Sequence, residues 1–184
     1  MAVSLSNTSS RYGLIAQFLH WSVVAGIVLQ YIWAWRIDNS DSIREQFSLV
    51  TTHKSIGMTI LVLVLLRMAW RAFNKPPPYP PTMRTWEINA ANFTHALLYL
   101  LILLMPLTGW MYTSATGYGA EFWGLVDVPD FVATGERLEN FMHVAHETIG
   151  WAIPIVVVVH VLAALRHHFV LKDDVLKRIF PGWK

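Results

Sequence analysis

Four long apolar stretches dominate this chain, and each is long enough as a helix to cross the roughly 30 Å hydrocarbon core of a bilayer, which takes about 20 residues. They lie at residues 14–35, 49–73, 93–112 and 143–170. In lipid every backbone amide and carbonyl must find its partner within the protein, so a single apolar stretch has the helix as its solution. The expected fold class is an all-α membrane protein: a bundle of four transmembrane helices in a single domain over residues 1–184. Composition agrees, because 54% hydrophobic against 14% charged residues is a balance that soluble domains do not carry. The first stretch lacks a basic leader and a small-residue cleavage site, so it is expected to remain in the mature protein rather than act as a signal peptide.

Charge then orients the bundle. The side holding both chain ends and the second loop has ten basic residues: Arg11, Arg67, Arg71, Lys75, Arg84, Arg166, Lys172, Lys177, Arg178 and Lys184. The other side has four, Arg36, Arg44, Lys54 and Arg137. The positive-inside rule places both termini in the cytoplasm. These basic residues border apolar spans, so the net charge of +2 calls for membrane lipid as a partner and needs no nucleic acid to explain it. Trp33, Trp35, Trp70, Trp110, Tyr112 and Trp123 fall at span ends, as an aromatic belt requires. The linker at residues 74–81, NKPPPYPP, is expected to be extended, since proline lacks the amide donor and restricts its predecessor.

Histidines inside these spans carry the chemistry. His146 and His160 are fourteen residues apart, four helical turns less about 40°, so they leave one face of a helix about 21 Å apart along its axis. His20 sits about 12 Å inside the cytoplasmic end of the first span, at the level of His160, and His53 near the outer start of the second span, at the level of His146. Imidazole is a common axial ligand of heme iron, and two depth-matched pairs suit two stacked b-type hemes. The chain has no cysteine, which excludes iron–sulfur clusters and covalently attached heme. Arg67 follows His53 by fourteen residues and Arg71 lies one turn further toward the cytoplasm, where guanidinium groups would pair with heme propionates. Gly57 and Gly150 each follow a proposed outer ligand by four residues and leave room for a porphyrin plane. His95, about three residues into the third span, is shallower than His20, and His143 is rotated about 100° off the face of His160.

The strings FLHWSVVAG, THKSIGM, LVLLRMAWR, THALLYLLILLMPLTGWMY, HETIGW and VVHVLAALRHHFVLKDD, in this order and across all four spans, resemble the prokaryotic cytochrome b561 family. That resemblance implies two heme b groups in the cell inner membrane, one held by His20 and His160 and one by His53 and His146. It also implies an activity: oxidation of periplasmic superoxide, with ubiquinone as electron acceptor near the cytoplasmic face. Lys54, beside His53, would be the access point for the superoxide anion. His95 and His167 lie at the depth where a quinone carbonyl would need a hydrogen-bond partner and proton source. The stretch at residues 113–142 sets Glu121, Asp127, Asp130, Glu136 and Glu139 against Arg137 alone, so an electron-transfer cytochrome served by a basic periplasmic or membrane redox partner is the alternative reading.

Overall fold

A computed structural model describes residues 4–182. Lys184, counted above with the basic carboxyl end, lies outside the described residues. The chain forms α1 (Leu14–Asp38), α2 (Ile43–Phe73), α3 (Thr85–Thr116), a two-stranded antiparallel hairpin of β1 (Ala120–Phe122) and β2 (Val126–Val128), and α4 (Glu136–Arg166). A π-helical turn, His167–Leu171, continues α4 and ends at Lys172 in the left-handed region. All four helices are long and apolar enough to cross a membrane.

The helices outrun the apolar stretches, because helical structure continues into water wherever the ends are capped. Ser42 accepts a hydrogen bond from the Glu45 amide to start α2. At the start of α3 the Glu87 carboxylate accepts from the Arg84 amide at 3.0 Å, and Arg166 at the far end of α4 donates to the same carboxylate at 2.8 Å. Gly117, with φ of 74°, ends α3 in the conformation glycine adopts without steric cost.

Backbones pack closely as two helical hairpins, α1 with α2 and α3 with α4, joined along α2 and α3. Among the described residues no Cα of α1 or α2 comes within 8 Å of one in α4. A core of Val23, Ile56, Ile60, Val64 and Ile102 seals α1, α2 and α3 together, whereas side chains rather than backbones span the gap to α4. The Tyr31 hydroxyl donates to the Gly150 carbonyl across it at 2.5 Å.

The two ends of the bundle are closed differently. At the end away from the termini, the β-hairpin packs against α2 and α3. At the terminal end, three segments without helix are tied together. Asn7 donates to the carbonyls of Asn74 and Lys75, Arg178 donates to the Pro78 carbonyl at 2.6 Å, and Arg11 donates to the Phe180 carbonyl at 2.7 Å. The proline-rich linker is non-helical and held by both chain ends.

Candidate functional site

Histidines gather at two levels. At the hairpin end His53 of α2 and His146 of α4 face one another, ring centres 6.2 Å apart and planes at 74°. They border an apolar cavity of about 260 Å³ between the two helical hairpins, lined also by Gln30, Tyr31, Lys54, Gly57, Met105 and Gly109. His146 Nδ1 lies 3.0 Å from the Met105 carbonyl and 3.2 Å from Thr108 Oγ1. A carbonyl only accepts, so the proton sits on Nδ1 and Nε2 keeps its lone pair. The Thr108 hydroxyl donates to the same carbonyl at 2.9 Å and fixes its direction. His53 Nδ1, in contrast, is buried without a partner among the described residues.

Gly109 is what lets His146 come this close: a Cβ there would stand 2.9 Å from the His146 Cε1. Spacing along the ligand-bearing helices points to other glycines. Gly57 lines the cavity, but a Cβ on it would meet Gln30 Nε2 at 3.1 Å, and one on Gly150 would meet Met105 at an ordinary 3.4 Å. The glycine that clears the imidazole is on the neighbouring helix, which spacing along α2 or α4 cannot reveal.

At the terminal end the cluster is a triad of rings. His95 of α3 and His160 of α4 are 5.3 Å apart with planes at 66°, and His20 of α1 is close enough to interact electrostatically with both and with Arg67. The expected shallow position of His95 is corrected here: α3 begins at Thr85 rather than near residue 93, so His95 stands ten residues into its helix, about 15 Å along it, and reaches His160. His20 Nδ1 is buried without a partner among the described residues, and its ring meets Trp21 edge-on at 5.1 Å. Arg67 and Arg71 both lie over the Tyr99 ring, at 5.2 and 5.9 Å, and neither has a carboxylate partner among the described residues. Two cations in a span without a counter-anion leave room for an acidic ligand group. Beside them, outside the spans, burial pushes the Tyr12 and Tyr79 phenols up, so both stay protonated donors.

The remaining sequence-chosen residues sit at the rims. His167 is 7% exposed and its Nδ1 is held by the Asp173 carboxylate at 2.5 Å, a partner that the helical spacing did not point to because the π turn brings it back. Lys54 donates to the Gly119 carbonyl at 3.0 Å, so its ammonium bridges α2 and the hairpin approach while lining the cavity. His143 is out of the paired set: it stacks on Tyr112 at 5.1 Å and lies 3.9 Å from Glu147.

What the hairpin-end pair can hold follows from distance. A metal ion about 2 Å from each of two imidazole nitrogens, with about 1.1 Å from nitrogen to ring centre, puts the ring centres about 6 Å apart. The observed 6.2 Å fits that, while the 5.3 Å of His95 and His160 is short for a shared ion. Two imidazoles in an apolar cavity are too few for a bare transition-metal ion, which takes four or more ligands. A flat macrocycle that brings its own donors fits the pair and the glycine clearance, while the two arginines, at the other end of the bundle and without a carboxylate partner among the described residues, suit the acidic groups of a ligand held there.

Sequence comparison finds similar proteins over nearly the whole chain. Residues 11–182 match the profile of the family described as prokaryotic cytochrome b561. The chain is 31% identical over 180 residues to cytochrome b561 homolog 2 of Escherichia coli K12, covering 96% of this chain and 95% of that one. It is 27% identical over 185 residues to cytochrome b561 homolog 1 of the same organism, covering 95% and 99%. A probable superoxide oxidase CybB of Yersinia pestis is 27% identical over 177 residues, covering 93% and 96%.

Proposed function

The chain belongs to the prokaryotic cytochrome b561 family, and on that premise we propose that it is a diheme superoxide:ubiquinone oxidoreductase of the inner membrane. As a family member it is a multi-pass bacterial membrane cytochrome that binds heme b and transfers electrons. The finer reading assigns His53 and His146 to one heme at the hairpin end and His20 and His160 to a second at the terminal end, with both termini in the cytoplasm. The single observation that carries it is the 6.2 Å approach of His53 and His146 across an apolar cavity. His95 is left for another role because its ring is closer to His160 than a shared ion allows.

When bound, heme supplies the one-electron redox chemistry. The net reaction converts two superoxide anions to two molecules of oxygen, and the two electrons with two protons convert one ubiquinone to ubiquinol. Lys54 offers positive charge at the cavity rim, where an anion would otherwise meet Glu121, Asp127 and Asp130. Arg67 and Arg71 would neutralise heme propionates, an assignment supported by their lack of any carboxylate partner among the described residues. His95, at the terminal cluster, would orient a quinone carbonyl, and His167 with Asp173 would hold a proton at the cytoplasmic rim. The name of the Yersinia pestis relative supports superoxide as the donor.

One observation favours a second reading. Glu121 and Asp127 stand opposite each other across the hairpin and both are exposed, an acidic surface suited to a basic redox protein as electron donor. Stopped-flow absorbance of the purified cytochrome after a superoxide pulse separates the two. Rapid reduction that slows about tenfold in Lys54→Glu at low salt is expected for steered capture of the anion. No response to superoxide, with rapid reduction by a basic donor protein that weakens on neutralising Glu121 and Asp127, would establish the second reading instead.

A further inference from the structure

The hairpin between α3 and α4 has two unlike faces and a strained tip. Its register pairs Ala120 with Val128 and Phe122 with Val126 on one face, and Glu121 with Asp127 on the other. Carboxylates directly opposite each other repel, and that arrangement is tolerable only where water or headgroups screen it. The turn is made by Trp123, Gly124 and Leu125, closed by the Leu125 amide donating to the Phe122 carbonyl at 3.0 Å.

Trp123 has φ of 54°, a left-handed conformation that is costly for a bulky side chain and persists only where the surroundings hold it. Two hydrogen bonds do so. Its amide donates to Ser55 Oγ at 3.0 Å, and its indole Nε1 donates to Thr59 Oγ1 at 3.2 Å. Thr59 is five residues beyond Lys54 along α2, so the indole is pinned to a residue whose backbone lies about 7 Å further toward the bundle centre than that of Lys54. Three residues further along α2, Val62 is 52% exposed on a helix long and apolar enough to cross a membrane. Leu125 is 81% and Trp123 49% exposed. The indole thus ties the exposed apolar tip to this membrane-length helix.

We propose that the hairpin is an interfacial anchor: its tip, residues 123–125, inserts into the adjacent leaflet at the boundary of headgroups and acyl chains, and lipid is the partner that covers it. The acidic face then stands in the headgroup layer, and Trp123 occupies the depth favoured by an amphipathic ring. Insertion braces β1 against α2 and α3, where Ala120 walls the His53 cavity. The anchor needs neither bound heme nor a particular donor, so it stands or falls apart from the proposed activity.

The chain has no cysteine, which makes a single labelled site clean. Leu125→Cys in the full chain, carrying an environment-sensitive fluorophore and reconstituted in phosphatidylcholine vesicles, is compared with Asp41→Cys in the exposed loop between α1 and α2. Lipid with a nitroxide near the top of its acyl chain should quench the label at residue 125 at least about threefold more than at 41, and aqueous iodide should do the reverse. Val126→Cys provides a second label on the apolar face next to the tip and should behave like residue 125. Iodide quenching equal to that at Asp41 would overturn the proposal and leave a water-borne partner for the tip. A label reached by neither quencher would overturn it too, since the tip would then be covered by protein.

Discussion

The hairpin end and the terminal end of this bundle each gather half-buried histidines from different helices, yet they are built for different loads. At the hairpin end two rings face each other across an apolar cavity, one with its proton fixed by Met105 and Thr108. At the terminal end three histidines gather with two arginines that have no carboxylate partner among the described residues, under a cap of tied chain ends. A pair of imidazoles is enough to hold a group between them. A third imidazole beside such a pair has chemistry to spare, and that surplus is what a proton-coupled acceptor such as a quinone requires.

The largest effect that would sharpen this contrast is at His95. If it is the surplus imidazole, His95→Ala keeps the full heme content but slows reoxidation by ubiquinone about a hundredfold, as loss of a general acid does. Loss of heme in that variant would make His95 a ligand and break the contrast. Next in size is Gly109→Ala. The added methyl would meet His146 Cε1 at 2.9 Å, and overpacking of this kind costs about 1–3 kcal/mol. Transfer of heme to apomyoglobin should quicken by about tenfold for the hairpin-end group alone, while Gly150→Ala, with a contact at 3.4 Å, changes little. Equal effects of the two would remove the special role of Gly109. Thr108→Val is smallest: the Met105 carbonyl still accepts from His146, so one hydrogen bond of about 1 kcal/mol is altered and the hairpin-end midpoint potential shifts by about 40 mV or less. A shift confined to the terminal-end potential would contradict the assignment of Thr108.

The four spans were legible because lipid leaves an apolar stretch one solution, and the approach of His53 to His146 and of His20 to His160 was legible because rise per residue is constant in a helix. Helix ends were not. Residues 85–92 are mixed in polarity, and Glu87 ties the start of their helix to Arg166, 79 positions away, so His95 lies about two turns further into its helix than polarity along the chain indicates. Side chains that act across the bundle left no mark in their own helix: Gly109 is defined by His146, Tyr99 by Arg67 and Arg71, and Asp173 by the π turn that returns it to His167. The hairpin went unseen because its strands are three residues long and its turn, Trp-Gly-Leu, lacks the usual asparagine or aspartate signal.

The central claim is that each end of the bundle holds its own heme between two named histidines. A pyridine hemochrome assay of heme b per polypeptide tests it directly, on the purified protein and on His20→Ala, His53→Ala, His146→Ala and His160→Ala. The account predicts two hemes in the protein and about one in each variant, with His53→Ala and His146→Ala sharing one residual spectrum and His20→Ala and His160→Ala sharing the other. Two hemes retained in any single variant, or one heme in the unaltered protein, would contradict it.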